Sequence, residues 1–313
     1  MMTTLFWAGG GLPVMDKTTS VHSEGGALQD KLEHVKALMA GYGRVVVAFS
    51  GGVDSTLVAK LARDVLGRAN ALAVTADSPS LAREDLEAAR RLAADLDLER
   101  LVIATREVAD ARYRVNAESR CYFCKQELFE ELERLAEERG MSAVLYGAIA
   151  DDRLAERPGQ RAALRFGVQA PLQEAGLAKW EVRALAKSLG LPNWDRPQNA
   201  CLSSRIPHGM AVTEEKLRQV EQAESFLRAQ GFRQVRVRHL GTHARIEVGA
   251  DEVGRFQDAT LCLAVARQFE RLGFESVGVN RSGYHPGGAD QIARDEIFLG
   301  GVAQFPPTME CRN

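Results

Sequence analysis

The residues with the clearest chemical potential form a short glycine-rich segment, Ser50 to Ser55, which reads Ser-Gly-Gly-Val-Asp-Ser. It follows the apolar run Val45 to Phe49 and precedes a helical stretch, so the pattern predicts a loop between a strand and a helix. Gly51 and Gly52 have no Cβ and let the backbone approach a polyphosphate, while hydroxyls and N–H groups at the helix start donate to anionic oxygens. Asp54 is suited to hold the magnesium that accompanies ATP. The segment predicts a pyrophosphate-binding loop.

This loop differs from the Walker phosphate loop, because no Gly-Lys-Ser/Thr follows it. Transfer of the γ-phosphate is therefore not expected. The pattern resembles the PP-loop ATP pyrophosphatases, which cleave ATP between the α and β phosphates. The resemblance implies adenylation of a carbonyl or carboxylate oxygen and displacement of AMP by a nucleophile. The alternative is an ordinary glycine-rich turn.

Three cysteines form a second signal. Cys121 and Cys124 are a Cys-x-x-Cys pair at a predicted helix start, and Cys201 lies far along the chain. The positive helix terminus, together with Arg120 and Lys125, favours thiolates over thiols. A structural zinc site normally has four protein ligands, whereas three thiolates suit a [4Fe–4S] cluster with one iron open to an external ligand. An isolated redox dithiol or unpartnered thiols are the alternatives.

Whole-chain composition fits a cytoplasmic enzyme. The 313 residues include 40 Lys and Arg against 42 Asp and Glu, a net charge of −2, so no global field attracts nucleic acid. No apolar stretch approaches the roughly 20 residues that span a bilayer. We therefore expect neither a stable nucleic-acid partner nor a membrane partner, and five cysteines in the cytoplasm point to metal, redox or sulfur chemistry rather than disulfides.

Residues 30–207 alternate helix-like and strand-like segments, which predicts an α/β fold with a parallel twisted sheet and helices on both faces. The predicted strands are Val45–Phe49, Leu72–Thr75, Leu101–Ala104 and Ala143–Tyr146. The predicted helices are Leu32–Met39, Thr56–Leu66, Ser80–Leu96 with Ser80 as N-cap, and Lys125–Glu138. Ligands in such folds bind at the carboxyl ends of strands, so the Ser50 loop, Thr75–Ser78 with Asp77, and Gly147–Asp152 are expected to share one edge beneath a nucleotide.

A smaller α+β domain is predicted over residues 208–290, for substrate binding or oligomerisation. Its expected elements are a helix Thr213–Ala229, an antiparallel strand pair turning at Gly241-Thr242, and a helix Glu252–Leu272. Residues 1–29 are predicted to be a disordered extension, and residues 291–313 a loose C-terminal tail.

Several further segments make the resemblance more specific, and with the Ser50 loop they are similar to the LarE family over residues 30–290. These segments are Ala150-Asp151-Asp152, Arg157-Pro158-Gly159, Pro171 to Lys179, Leu191 to Asp195 and Cys201 to Gly209. The family consists of ATP-dependent sulfur transferases of nickel-pincer nucleotide biosynthesis. They adenylate a carboxylate of pyridinium-3,5-biscarboxylate mononucleotide and convert it to a thiocarboxylate.

The resemblance also implies a sulfur source. Some members sacrifice the sulfur of one cysteine, which becomes dehydroalanine, whereas others hold an iron–sulfur cluster on three cysteines. Cys121, Cys124 and Cys201 match the second type. The cofactors expected are therefore ATP, Mg²⁺ and a [4Fe–4S] cluster, and the expected partners are a small nucleotide substrate and further copies of the chain.

The remaining candidate residues have both functional and structural interpretations. Asp151 and Asp152 are magnesium-ligand candidates or an exposed acidic loop, and Lys179 neutralises ATP or lies on the surface. Ser204 and Arg205 suit a phosphate, which the arginine fork can grip bidentately. Arg236 and Arg238 match family arginines that bind the substrate phosphate, or are solvated strand charges. Glu247 is a tentative metal ligand, or an ion-pair partner of Arg245 or another strand arginine.

Three classes of function remain open from the sequence. The first is the sulfur transferase, and the second is a PP-loop tRNA thiolation enzyme, against which the balanced charge argues. Amidation, as carried out by NAD or GMP synthetases, is a weaker alternative, because those enzymes need no Cys-x-x-Cys. The third is a non-catalytic nucleotide-binding or redox module.

Overall fold

The computed structural model describes residues 17–152, 158–197, 200–285, 290 and 295–301. These residues fold around two four-stranded sheets. The strands are β1 (Val45–Ala48), β2 (Ala71–Asp77), β3 (Glu99–Ala104), β4 (Ala143–Leu145), β5 (Val235–Leu240), β6 (His243–Val248), β7 (Ser276–Asn280) and β8 (Glu296–Gly301). The α-helices are α1 (Lys17–Tyr42), α2 (Val53–Leu66), α3 (Arg83–Asp95), α4 (Ala111–Arg114), α5 (Arg120–Arg139), α6 (Pro158–Arg165), α7 (Pro171–Glu174), α8 (Lys179–Ser188), α9 (Glu214–Ala229) and α10 (Ala259–Arg271).

The first sheet has the strand order β3-β2-β1-β4, and its strands are parallel. Val45 of β1 is in register with Ala71 of β2 on one side and Ala143 of β4 on the other. The chain therefore passes from β1 to β2 and β3 on one side of β1, and later adds β4 on the other side. Such a switch point opens a crevice at the carboxyl end of the central strand, where the Ser50 loop begins.

Helices cover both faces of this sheet, as the sequence predicted. Successive side chains of a strand point to opposite faces, and Val45, Val46 and Val47 are all fully buried. Val45 and Val47 share a core with helices α1, α2 and α8, while Val46 packs with α5 through Phe129 and Leu132. The first half is thus a three-layer α/β unit, which holds the loop after β1 rigidly.

The second sheet has the order β5-β6-β7-β8 and mixes antiparallel and parallel pairs. The predicted hairpin is confirmed, with Val235 opposite Val248 across the turn. One core joins the sheet to the helices α9 and α10, including Leu227 and Phe269. This half is therefore α+β, as expected.

The two ends of the chain differ from the sequence prediction. Disorder was predicted to residue 29, but α1 already begins at Lys17. Apolar residues recur at helical spacing in α1 and pack on the first core, namely Leu28, Leu32, Val35 and Met39. The amphipathic pattern therefore extends upstream of Leu32. Residues 1–16 lie outside the described residues.

Residues 296–301 fall in the segment predicted to be a loose tail, yet they form β8 beside β7. Ile297 and Leu299 alternate toward the second core, and this period of two explains the strand. Residues 302–313 lie outside the described residues. The division of the chain at residue 207 stays a prediction.

Two helix predictions were also wrong. Ser80 is not an N-cap, because α3 begins at Arg83 and the Ser80 hydroxyl instead donates to Glu107 Oε1 at 2.6 Å. The predicted helix Glu252–Leu272 is split into a 3₁₀ segment, Ala250–Gln257, and α10. Asp258 is extended at the break and caps α10 by accepting from the Thr260 N–H at 2.8 Å.

Candidate active site

The Ser50–Ser55 segment forms a tight turn between β1 and α2. Gly51 has a φ of 72°, which glycine adopts without strain. Gly52 is the N-cap residue of α2, and its carbonyl accepts from Ser55 Oγ at 3.0 Å. Ser50 Oγ lies 3.1 Å from Ser55 Oγ, so the two hydroxyls close the turn. Because the first N–H groups of a helix have no acceptor within the helix, this geometry suits an anionic ligand.

Two residues that the sequence analysis did not single out hold this turn in place. Buried Asn193 donates through Nδ2 to the Gly51 carbonyl and to Thr56 Oγ1, both at 3.0 Å. Arg196 Nη1 donates to the same carbonyl at 3.4 Å, and its Nη2 donates to Asp85 at 2.6 Å. The only sequence signal was the family resemblance of Leu191 to Asp195, which says nothing about a contact with residue 51.

Lys179 connects two of the candidate carboxylates. Its Nζ donates to Asp54 Oδ1 at 2.7 Å and to Oδ2 at 2.8 Å, and its backbone N–H donates to Asp151 Oδ2 at 2.6 Å. The side chains of Lys179 and Asp54 are 31% and 26% exposed, so a ligand can reach them. The structure thus brings Asp54, Asp151 and Lys179 together at the start of α2.

The other two acidic candidates have partners of their own. Asp152 Oδ2 accepts from the Ile149 N–H at 3.1 Å, which turns this carboxylate toward its own loop. Asp77, at the end of β2, is ion-paired with Arg83. Asp151 is therefore better placed than Asp152 to act together with Asp54.

Gly147 follows β4 and lies directly against the loop. A Cβ at this position would be 2.7 Å from the Ser55 nitrogen and 2.9 Å from the Asp54 carbonyl carbon. Such distances are too short for any side chain. The glycine therefore allows the segment after β4 to pack on the start of α2, an approach that the sequence did not reveal.

The three cysteines of the sequence analysis share one neighbourhood. Cys121 and Cys124 lie at the start of α5, and Cys201 precedes the 3₁₀ segment Leu202–Arg205. Cys121 and Cys201 are exposed and Cys124 is half-buried. Burial is the main reason that the pKa of Cys124 rises to about 12, and the charges of Cys201 and Cys121 act in the same direction. The thiols are thus close enough to influence one another electrostatically.

Among the described residues, no three or more His, Cys, Asp or Glu side chains are grouped so that they could hold a metal ion. Thiolates are the usual protein ligands of iron–sulfur clusters. The expected preference for a thiolate is wrong for Cys124, because burial raises its pKa to about 12 and keeps the thiol neutral. Cys121, Cys124 and Cys201 would be the ligands.

Arg205 is buried rather than presented to solvent. Its Nε and Nη2 donate to the two carboxylate oxygens of Glu224 at 2.8 and 3.1 Å, and its Nη1 donates to the Cys201 carbonyl at 2.9 Å. Burial alone would raise the pKa of Glu224, but Arg205 and then Arg228 hold it below its usual value. The fork that was predicted to grip a phosphate is therefore occupied by a carboxylate. It holds the cysteine segment on α9.

Arg236 and Arg238 lie on one face of β5, as predicted. Arg238 is paired with Glu247 at 2.8 Å, and Arg245 lies 3.4 Å from the same carboxylate, so the predicted ion-pair alternative for Glu247 is confirmed. Arg238 Nη1 also donates to the Ser204 carbonyl at 3.1 Å, which joins β5 to the cysteine segment. These contacts leave the predicted magnesium role of Glu247 without geometric support.

The pKa of Arg236 is lowered by its burial and by the neighbouring charge of Arg205. Its guanidinium lies 5.5 Å from the centroid of the Tyr284 ring. A cation that is desolvated and repelled by a second cation gains most from an anionic ligand. Arg236 is thus the candidate in this group that an incoming phosphate would stabilise most.

Comparisons with known proteins agree with this geometry. The NAD synthase family model matches residues 27–134, which contain the loop and α2. An uncharacterized protein of Synechocystis sp. is 44% identical over 266 residues, which is 85% of this chain and 98% of that protein. The pyridinium-3,5-bisthiocarboxylic acid mononucleotide synthase of Lactiplantibacillus plantarum is 39% identical over 244 residues, covering 78% of this chain and 88% of that enzyme.

A more distant similarity is confined to part of the chain. A glutamine-hydrolyzing GMP synthase component of Methanosphaerula palustris is 31% identical over 176 residues, which is 53% of this chain and 56% of that protein. None of the helices in the described residues is long and apolar enough to cross a membrane.

Proposed function

Because the chain belongs to the LarE family of PP-loop ATP-dependent sulfurtransferases, we propose that it acts on pyridinium-3,5-biscarboxylate mononucleotide. It adenylates one carboxylate with ATP and replaces an oxygen of that carboxylate with sulfur, which gives a thiocarboxylate. The observation that carries this proposal is that the segment of Cys201 contacts the sheet edge where the Ser50 loop lies. The Leu202 N–H, next to Cys201, donates at 2.8 Å to the Ser80 carbonyl, which follows β2 at the same sheet edge as the Ser50 loop.

The first step is attack of a substrate carboxylate oxygen on the α-phosphorus of ATP. The bond between this phosphorus and the bridging oxygen breaks, and pyrophosphate leaves. The Ser50–Ser55 turn and the start of α2 bind the β and γ phosphates through N–H and hydroxyl donors. Magnesium would neutralise charge that develops on the leaving group, and Asp54 and Asp151 would hold it.

Lys179 balances negative charge at the start of α2. Its ammonium group donates to both oxygens of Asp54. A magnesium ion held by Asp54 would free this ammonium to donate to a phosphate oxygen of ATP. Asn193 and Arg196 keep the Gly51 carbonyl fixed, which preserves the shape of the turn during the exchange.

The second step is attack of sulfur on the carbonyl carbon of the acyl adenylate, with departure of AMP. A [4Fe–4S] cluster on Cys121, Cys124 and Cys201 would supply a transferable sulfide. Arg236 would bind the substrate phosphate beside β5, whereas Arg238 and Arg205, which are paired with Glu247 and Glu224, would hold β5 and the Ser204 segment in place. The sacrificial use of Cys201 is the alternative source of sulfur.

The experiment combines two measurements on anaerobically purified protein. Pyrophosphate and AMP are measured with ATP, Mg²⁺ and the nucleotide substrate, and the thiocarboxylate product is detected by mass spectrometry. AMP formation that depends on this substrate is expected. Formation of ADP, or AMP formation that requires tRNA instead, would contradict the proposal.

The working environment of the enzyme follows from the same proposal. We expect a cytoplasmic homo-oligomer that binds the small nucleotide and has no stable nucleic-acid partner. Light scattering of the purified protein, with and without ATP, measures the oligomeric state. A monomer at micromolar concentration would contradict the expected assembly without affecting the proposed chemistry.

A further inference from the structure

A buried arginine lies among the three cysteines and is not used in the chemistry above. Arg120 is 6% exposed, and its Nη1 donates to Asn116 Oδ1 and, at 2.9 Å, to the Ser203 carbonyl. Within the described ranges no Asp or Glu forms an ion pair with it. The charge of Arg120 acts on Asp290, but the Asp290 carboxylate hydrogen-bonds to His208.

The guanidinium of Arg120 is held by neutral groups, a side-chain amide oxygen and a backbone carbonyl. A buried guanidinium that has only neutral hydrogen-bond partners is costly to keep. Anionic sulfur held between the cysteines would supply the missing counter-charge.

The second partner of Arg120 has an unusual backbone. Asn116 is fully buried with a φ of 58°, a left-handed conformation that asparagine tolerates better than most residues. Its Nδ2 lies within hydrogen-bond distance of the carbonyls of Ile206, Pro207 and Met210, at 3.2, 2.7 and 3.0 Å. These contacts hold the segment after Cys201 against the turn that precedes α5.

Together these contacts explain how two distant segments meet. Arg120 adjoins Cys121 on α5, and the Ser203 carbonyl that it binds is two residues after Cys201. The hydroxyls of Ser203 and of Tyr113, which lies on α4, are 2.6 Å apart and add a second buried contact to the Cys201 segment. Removal of the arginine would leave the Ser203 carbonyl without this donor and free the segment to move away from α5.

We propose that Arg120 is the positioning residue of the sulfur site: it fixes the Cys201 segment against the Cys-x-x-Cys helix, and its cation balances anionic sulfur held there. The inference rests on the proposed function for its second half only. The first half concerns the distance between Cys121 and Cys201, which is measurable in protein without iron, ATP or substrate.

The test bridges Cys121 and Cys201 with dibromobimane, a short reagent that joins two nearby thiols. The full chain carries Cys124→Ser, so that Cys121 cannot be bridged within its own motif, and it is stripped of iron. Mass mapping identifies the peptide pair. Arg120→Met and Arg120→Lys are compared with Arg134→Met, a matched control on the same helix whose guanidinium pairs with Glu131 and Glu138.

Bridging is expected in the protein that retains Arg120 and in the Arg134→Met control. It should fall about tenfold in Arg120→Met, the ratio expected when a charge-assisted hydrogen bond is lost. Arg120→Lys retains the cation but lacks the planar fork, so it should bridge less well than the parent yet support more sulfur transfer than the methionine variant. Thermal unfolding identifies variants that are not folded.

A second readout separates positioning from general damage. With all three cysteines restored, Arg120→Met should form AMP within about threefold of the parent rate while thiocarboxylate formation is lost. Unchanged bridging in a folded Arg120→Lys or Arg120→Met protein would overturn the proposal, as would its absence in the parent. If the parent forms no AMP, the proposed function fails, but the bridging result still decides the role of Arg120.

Discussion

Lys179 Nζ lies 2.7 and 2.8 Å from the two carboxylate oxygens of Asp54, although the two residues are 125 positions apart in the chain. The ion pair occupies the position where the proposed mechanism requires a metal and a phosphate. Both side chains are partly exposed, so water screens the pair and its contribution to folding stability is small. Its importance is therefore expected in ATP cleavage.

Replacement of Asp54 by Asn removes the charge that is proposed to hold magnesium and keeps the side-chain size. We expect substrate-dependent AMP formation to fall at least about a hundredfold, because stabilisation of the leaving pyrophosphate is lost. Asp64→Asn is the control, since Asp64 lies on the same helix and pairs with the surface cations Lys60 and Arg63. Full AMP formation by a folded Asp54→Asn protein would show that Asp54 is not the metal ligand.

Replacement of each cysteine in turn distinguishes the two sulfur sources. If Cys121, Cys124 and Cys201 share a cluster, each alanine variant loses iron and thiocarboxylate formation but retains AMP formation. Cys262→Ala is the control, because Cys262 is buried in the second core. The sacrificial mechanism predicts instead that only Cys201→Ala is inactive, that each protein molecule turns over at most once, and that the protein mass falls as Cys201 becomes dehydroalanine. Intact-protein mass spectrometry after one reaction cycle decides between them.

Gly147→Ala tests the contact between the segment after β4 and the ATP loop. The new Cβ would lie 2.7 Å from the Ser55 nitrogen, so the backbone must shift and we expect a loss of about 1–3 kcal/mol in the free energy of unfolding. The KM for ATP should rise as the turn distorts. Gly41→Ala is the control: apart from its chain neighbours and the backbone of its own helix, no atom lies within 4 Å of the new Cβ, and the change in α1 should stabilise by about 0.5–1 kcal/mol. An unchanged KM would mean that the loop does not depend on this packing.

His239 predicts a pH dependence of stability. Burial is the main cause that lowers its pKa from 6.5 to about 4, with a smaller effect of the Lys216 charge. Between pH 4 and pH 6.5 the His239 ring is protonated in the unfolded chain and neutral in the folded chain. The contribution of His239 is therefore complete above pH 6.5 and is lost as the pH falls toward 4, with an upper limit of about 3 kcal/mol.

Denaturant unfolding from pH 4 to 7 measures this contribution. His239→Gln should flatten the curve over that range, because glutamine does not titrate and can still hydrogen-bond to Gln219. His34→Gln on the exposed side of α1 should leave the curve unchanged. Identical curves for the parent and His239→Gln would mean that the ring is protonated at no cost in the folded protein.

Local patterns in the sequence determined the ATP half of the site. An apolar strand, two glycines and an acidic helix start are adjacent in the chain, and their geometry depends on neighbours only a few residues away. The alternation of strands and helices likewise predicted the parallel sheet, and parallel strands necessarily bring Asp77 and Gly147 to the edge that carries the Ser50 loop. The Cys-x-x-Cys spacing on a helix was readable for the same reason.

Contacts between distant residues were decided only by the tertiary structure. The partner of Arg205 is Glu224 and not a phosphate, because both groups are buried together and an unpaired charge there would be costly. Nothing in the composition of Asn193 or Arg120 distinguishes them from other polar residues, since their roles depend on which carbonyls the fold places in front of them. The meeting of Cys201 with Cys121 and Cys124 has the same origin: it follows from contacts between two segments that are far apart in the chain, such as Arg120 with the Ser203 carbonyl, which no local spacing encodes.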